Sequence, residues 1–417
     1  MQSLIWNTGQ FIVVSISIAL VLLLDRRVSS RVFWLCITAL AAMLGAVGFA
    51  ISDPARKLED FRLAYWEAGA AVWKGSESFG EVYARGTDGF VNIPVVGFLF
   101  APFGLLDAHT AAIAFTLLGL AATVWAWRML CVQFSLPRRY AALLAIAFAV
   151  FGPLLYSLSE GNLSHFLLLG LSGALLCFAS GRHVAAGAIF GLIAVLKPSL
   201  GLIGIYFLCR GQWRVVAGGA AVCAGTALSS LALFGWSLNH LWYEQAVAPF
   251  AAGPVPGFNA QSIPAFVARF ETGIAGLTDW LPHALSATGR IWAIMLCGLT
   301  VVALLATCFR RPSGWPESKV IELETLMVVT VSCLVSSLTW SHYYLWLLPA
   351  FVWAWQYGRG RERVAVLIAF VLCAPLEFIS WPMMAGHFSL ATNFLSSHLV
   401  IGGLLLYGVL LRQRLRA

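Results

Sequence analysis

Three side chains, Asp60, Lys197 and His342, have the types and settings to do chemistry. Asp60 opens the segment Asp60-Phe61-Arg62-Leu63-Ala64-Tyr65-Trp66-Glu67-Ala68-Gly69-Ala70-Ala71-Val72-Trp73-Lys74-Gly75. Phe61, Tyr65, Ala68 and Val72 recur at helical spacing and Gly75 suits a C-cap, which predicts an amphipathic helix lying on a membrane surface. A carboxylate at the start of that helix can cap it, and the residue type alone favours the cap. A carboxylate at the lipid–water boundary can also serve as a general base, and the two roles are compatible. Lys197, in Leu196-Lys197-Pro198, is a cation inside an apolar stretch, a setting that by default marks a functional site. It could bind phosphate, snorkel to the interface, or pair with Glu160. His342 lies in Ser337-Leu338-Thr339-Trp340-Ser341-His342-Tyr343-Tyr344, where an imidazole could donate to an anion or shuttle a proton.

The remaining polar candidates carry weaker signals. Glu160-Gly161-Asn162 separates two apolar runs, and Glu160 could simply be solvated. In Asn259-Ala260-Gln261-Ser262-Ile263-Pro264 the two amides could bind sugar hydroxyls or cap the next helix. Trp340, Tyr343 and Tyr344 fit an interfacial aromatic belt. His240, His387 and His398 read as interfacial polar residues.

The elements that must hold these groups follow from composition. Of 417 residues, 60% are hydrophobic and 11% charged, with a mean hydropathy of +0.85. Soluble domains carry about 25% charged residues. The balance excludes a soluble enzyme, a disordered chain and a disulfide-rich scaffold, and leaves an all-α polytopic membrane protein. The apolar runs are long and unbroken, unlike the alternating strands of a β-barrel. About 11–13 transmembrane helices are expected, given roughly 20 residues per span.

The net charge of +8 fits topology rather than nucleic acid. If the gaps holding 18 of the 26 basic residues are cytoplasmic, the spans alternate with the N-terminus outside and the C-terminus inside. Met1 to Gln10 lacks Lys and Arg, so an uncleaved first helix is expected rather than a signal peptide. Residues 94–106 are apolar but short, with Pro102 inside, and read as re-entrant or partly inserted. Lys197-Pro198 breaks the run 184–209 into two short or tilted helices. The chain then forms one membrane domain, 1–417. Residues 1–51 form the first two spans and 52–92 an outer loop; 93–235 hold further spans with the broken pair. Residues 236–289 form a second outer loop and 290–417 the C-terminal spans. Both large loops are expected to carry short amphipathic helices. The first holds 7 of the 18 acids: Asp53, Glu59, Asp60, Glu67, Glu77, Glu81 and Asp88. None of the nine cysteines forms CxxC or clusters with His at metal spacing, so neither a disulfide nor a metal site is expected.

Five segments, in order, resemble glycosyltransferase family 87, the polyprenol-phosphate-dependent mannosyltransferase-like and arabinofuranosyltransferase-like membrane enzymes of GT-C fold. They are Asp60-Phe61 with Tyr65, Ala68 and Gly75; Asn92-Ile93-Pro94 running to Leu106; Glu160-Gly161-Asn162; Leu196-Lys197-Pro198; and the late loops Asn259 to Ser262 with Ser337 to Tyr343. The second lacks the Tyr and first Pro of the family's Tyr-Pro-Pro, and the third does not reproduce the order Gly-Gln-x-Asn.

The resemblance implies inverting transfer of a mannose- or pentose-class sugar from a polyprenyl-phosphate donor to a hydroxyl of a glycolipid or glycan. Transfer would occur at the extracytoplasmic face of a bacterial-type cytoplasmic membrane. Asp60 would then be the base, and Lys197 and His342, with Arg62, would meet the leaving phosphate. Tyr65, Glu160, Asn162, Asn259, Gln261 and Trp340 would surround sugar and acceptor. A monophosphate leaving group gives little reason for a metal, and no cofactor is expected. A lipid or solute transporter is the alternative; it would place ionisable residues on several helices near the midplane.

Overall fold

A computed structural model describes residues 15–25, 28–51, 57–86, 89–310, 314–375 and 389–416. Met1 to Gln10, Arg26, Arg27, Asp53, Asp88, Arg311 and His387 lie outside the described residues. Among the described residues the regular elements are helical: α1 (Ser15–Asp25), α2 (Ser30–Ile51), α3 (Glu67–Lys74), α4 (Ser76–Ala84), α5 (Ala108–Gln133), α6 (Arg138–Val150), α7 (Gly152–Glu160), α8 (Ser164–Ala179), α9 (His183–Leu196), α10 (Leu202–Cys209), α11 (Trp213–Trp242), α12 (Ala248–Ala252), α13 (Ile263–Gly276), α14 (Ala287–Cys308), α15 (Glu317–Val335), α16 (Leu348–Tyr357), α17 (Arg361–Cys373), α18 (Leu390–Ser396) and α19 (His398–Arg416).

Four described helical segments are long and apolar enough to cross a membrane alone: most of α2, α5, the run from α11 through α12, and α14. Two bent pairs, α6–α7 at 51° and α18–α19 at 75°, qualify when each is taken as one span. Shorter apolar helices, among them α8, α9 and α10, complete the bundle. Leu117, Leu118 and Val124 on α5, and Ile294, Leu299 and Val302 on α14, are exposed. An apolar outer surface of this kind suits lipid, since helices satisfy their own backbone polar groups.

The core is built on α15, which is buried from Val320 to Leu334, and on the 3₁₀ turn Ser341–Leu347 that leads into α16. Trp346 and Trp353 are fully buried there. The break at Lys197 is as the Lys-Pro pair predicts: α9 stops at Leu196, a short 3₁₀ turn covers Pro198–Gly201, and α10 follows. Residues Pro94–Leu99 and Phe103–Leu105 form two 3₁₀ turns rather than a span. Pro94, Val96 and Gly97 face inward while Phe98, Leu99 and Leu105 are exposed.

The segment 236–289, expected as the second large loop, is tied down from within. Arg269 of α13 is fully buried and donates to the carbonyls of Ala260 at 2.7 Å and Gly257 at 3.1 Å, and to Ser397 Oγ at 2.7 Å. A buried guanidinium needs such partners to offset its desolvation. The two late sequence motifs also pair with each other. Ala260 and Trp340 form an antiparallel bridge, with Gln261 N donating to Thr339 O and Ser341 N donating to Asn259 O.

Candidate functional site

The segment expected as a plain α-helix from Asp60 begins instead with a π-helix, Phe61–Trp66, and continues as α3. Asp60, just before this turn, and Tyr65, within it, lie within electrostatic reach of each other. Single turns of this type concentrate at functional sites. The preceding Leu58 has φ of 60°. A bulky residue in that region is strained, and only surrounding structure holds it there. Its N–H donates to Ser159 O at 2.6 Å, which fastens the start of the segment to the end of α7.

Asp60 is not a cap. Its own backbone is helical and its side chain makes no capping hydrogen bond. Asp60 as a residue is half-buried, and its carboxylate is recessed among protein atoms. Desolvation raises its pKa to about 6; the Lys197 cation works against that rise, Glu59 adds to it, and the Asn162 amide lowers it. Tyr65 is buried, and burial pushes its phenol up, so it stays protonated; Lys197, Asp60 and Tyr343 all lie within electrostatic reach of it.

Lys197 closes the far side. Its ammonium donates to Tyr343 Oη at 2.9 Å and sits 4.9 Å from the centre of that ring. The carbonyl of Leu196 accepts from Asn92 Nδ2 at 2.9 Å, and Asn92 O accepts from Tyr83 Oη at 2.7 Å. The asparagine of the Asn92-Ile93-Pro94 segment therefore fixes the end of the helix that carries Lys197. Next to it, a cavity of about 350 Å³ opens between the α10 side and α15, lined by Pro198, Ser199, Leu202, Ile205, Ser332 and Ser336. His342 is buried beside Lys197, with its ring 5.7 Å from Tyr156 and 4.9 Å from Tyr343; Nδ1 has no hydrogen-bond partner among the described residues.

Asn162 is fixed from behind. Its Oδ1 accepts from Ser157 Oγ and from Ser164 N, both at 2.8 Å. Ser157 gives its single proton to Asn162, so at 2.9 Å it accepts from His165 Nδ1. With Oδ1 held, the amide nitrogen is the end left free toward Asp60, and Nδ2 makes no fully formed hydrogen bond. Gly161, with φ of 71°, ends α7 in the left-handed region, and a Cβ there would stand 2.8 Å from Phe61 Cβ. Glycine at this position gives both the turn and the close approach of Asn162 to the Asp60 segment.

Five further expected residues take these places. Arg62 is exposed, two residues from Asp60 and so on the other side of the helix; it does not join the phosphate candidates. Gln261 is buried, and its Nε2 donates to the carbonyls of Phe258 and Ser396, both at 2.7 Å, which makes it a brace between loops. Trp340 packs in a small loop cluster with Val255, Ala260 and Trp280. Asn259 donates to Tyr156 Oη at 3.3 Å and accepts from Trp280 Nε1 at 2.9 Å, so it reaches the cluster through Tyr156. Glu160 is the last residue of α7. Tyr156, Ser157 and His165 were not among the expected residues; one available signal was that Tyr156 precedes Glu160 by one helical turn. Among the described residues no three His, Cys, Asp or Glu side chains converge as a metal site.

Known proteins are similar to this chain in sequence. The chain is 26% identical over 273 residues to a polyprenol-phosphate-mannose-dependent alpha-(1-2)-phosphatidylinositol pentamannoside mannosyltransferase of Mycolicibacterium smegmatis, a match covering 63% of this chain and 60% of that protein. It is 24% identical over 379 residues to a polyprenol-phosphate-mannose-dependent alpha-(1-2)-phosphatidylinositol mannoside mannosyltransferase of Mycobacterium tuberculosis, covering 85% of this chain and 83% of that one. The chain thus spans less than two thirds of the first relative. Residues 90–337, more than half of the chain and including Asn162, Lys197 and the Asn259 to Ser262 loop, match the model of one family. The chain belongs to glycosyltransferase family 87.

Proposed function

We propose that the protein transfers a sugar of the mannose class from a polyprenyl-phosphate donor to a glycolipid hydroxyl at the extracytoplasmic face of its membrane, with inversion. The observation that carries this reading is a recessed carboxylate, unspent on capping, within electrostatic reach of a lysine held at a helix break. The acceptor oxygen attacks C1 of the sugar and its proton passes to the Asp60 carboxylate. As the new C–O bond forms, the bond from C1 to the phosphate oxygen breaks through an oxocarbenium-like state. The leaving polyprenyl phosphate gains charge, which the Lys197 ammonium stabilises, aligned by Tyr343. His342 is positioned to donate to the same phosphate. The neutral Tyr65 phenol offers a hydrogen-bond donor to the sugar or acceptor. The cavity beside Pro198 suits the first units of the lipid tail. The relatives' names supply mannose and the phosphatidylinositol mannoside type of acceptor, and the family match supports the donor class.

The test is transfer of radiolabelled mannose from polyprenyl-phosphate-mannose to a glycolipid acceptor in detergent. Asp60→Asn is expected to lower turnover by about 10²–10⁴-fold, the range for loss of a positioned base, while donor affinity stays unchanged. Near-normal turnover in that variant would remove Asp60 as the base. Activity confined to sealed vesicles, with no product bond formed, would instead identify a transporter.

A further inference from the structure

A second cavity, of about 490 Å³, lies at the other end of the core. Its wall comes from three separate places: the start of α15, the α16–α17 turn and the end of α19. Lys319, Arg359, Arg363 and Arg416 contribute four cations, Trp315 and Tyr357 contribute aromatic faces, and no Asp or Glu is in the wall. The site is remote from Lys197 and Tyr343. Tyr343 meets the far end of α15, where Cys333 Sγ approaches its carbonyl, and the 19 residues of α15 span about 28 Å.

The cations are held in place. Lys319 pairs with Glu322 at 2.7 Å and lies over the Trp353 ring; Arg416 pairs with Glu362 at 2.8 Å. Arg363 Nε donates to Trp355 O at 3.3 Å, and its guanidinium faces the Trp355 ring. Among the described residues, neither the Arg359 nor the Arg363 side chain pairs with a carboxylate. Glu362 is also shared with Arg412 at 3.2 Å, so positive charge is in surplus.

The surroundings select the form of anion. Val364, Leu367, Ile368 and Val371 are exposed at helical spacing along α17, leading away from Arg363, and Leu415 is exposed beside Arg416. A soluble anion has no use for that stripe, whereas acyl chains do. Basic pockets between helix ends bind anionic headgroups in this way. We infer that this cavity binds the phosphate headgroup of an anionic phospholipid, with its chains along α17.

The experiment uses the purified full-length chain in detergent, read by native mass spectrometry and thermal unfolding, with phosphatidylglycerol, phosphatidylcholine and inorganic phosphate as probes. Phosphatidylglycerol is expected to be retained and to raise the unfolding temperature; phosphatidylcholine is not. Arg359→Ala combined with Arg363→Ala should weaken phosphatidylglycerol retention at least tenfold, and because both side chains are exposed and neither is paired with a carboxylate, the fold should survive the change. Arg359→Lys with Arg363→Lys should retain most of the binding, and Arg182→Ala, an exposed cation elsewhere, should leave it unchanged. Equal retention by the double alanine variant, or equal binding of phosphatidylcholine, would overturn the inference. Inorganic phosphate binding as tightly as phosphatidylglycerol would assign the cavity to a soluble anion and also overturn it. No readout here depends on sugar transfer, so the result stands apart from the proposed activity.

Discussion

Asp60 keeps its charge at some cost to the fold. Its pKa is about 6 in the folded chain, against 3.8 for an ordinary aspartate. The folded state therefore holds more protons than the unfolded state between about pH 4 and 6, and stability falls as pH rises through that window. The penalty is complete above pH 6 and absent below 4. Asp60→Asn is expected to raise the unfolding temperature at pH 8, with the gain shrinking to nothing by pH 4; a loss of stability at pH 8 would contradict the assignment. Turnover should rise with pH along a limb with a midpoint near 6, because the base must be ionised. Burial is the main cause of this raised midpoint, and Lys197, Glu59 and Asn162 adjust it. Asn162→Ala removes the amide that favours the ionised form, so the limb should move to higher pH. An unchanged midpoint in a folded Asn162→Ala protein would reduce Asn162 to a packing role. Lys197 could be picked out from the sequence because a cation is unusual in an apolar stretch, whereas Asp60 at a helix start read equally as a cap. Arg62 was misplaced because sequence proximity does not say which side of a helix a residue takes.

At the scale of elements, the position of Lys197 depends on how α9 lies against α11. The two helices meet through glycines. A Cβ on Gly187 would collide with the carbonyl of Val215, and one on Gly218 with the carbonyl of Val184. Gly191 and Gly219 face each other in the same way. Small residues let helix backbones approach closely within a membrane, where water cannot drive association. Gly218→Leu should force the pair apart, destabilising the protein by about 1–3 kcal/mol as overpacking does. It should also weaken donor affinity, since α9 ends at Lys197; thermal unfolding and donor binding measure the two effects. The break at Lys197-Pro198 was legible because proline removes a backbone donor. The π-helix at Phe61–Trp66 was not, since apolar residues spaced by four read equally as an ordinary helix.

Across the whole molecule, the buried polar links lie at both ends of the core. Arg269 organises one end. At the other, Arg414 Nε meets Glu324 Oε1 at 2.6 Å with both side chains buried, while Arg210 at 3.0 Å and Tyr206 at 2.6 Å serve Oε2. These bonds join α10, α15 and α19, so the last helix is tied to the core. Removing one partner of a buried ion pair costs about 3–5 kcal/mol, because the other charge is left unpaired. Arg414→Met is expected to lose about that much, and adding Glu324→Met should recover part of it; unfolding of the single and double variants measures the coupling. A double variant no more stable than the single one would show that Arg210 and Tyr206 also depend on Glu324.

Composition and local rules determined the all-helical membrane class and the break at Lys197, and they singled out 94–106 as too short and proline-broken for an ordinary span. These features depend on hydropathy, on proline and on the expense of a lone charge in lipid, all of which are written along the chain. Only the tertiary structure decided which groups meet. Asp60 and Lys197 are 137 positions apart, and Lys197 and Tyr343 a further 146. No local rule sets contacts over such separations. The pairing of Ala260 with Trp340, the hold of Ser157 on Asn162 and the spending of Gln261 on loop carbonyls arise from packing. Packing assigns some polar residues to the site and others to the scaffold.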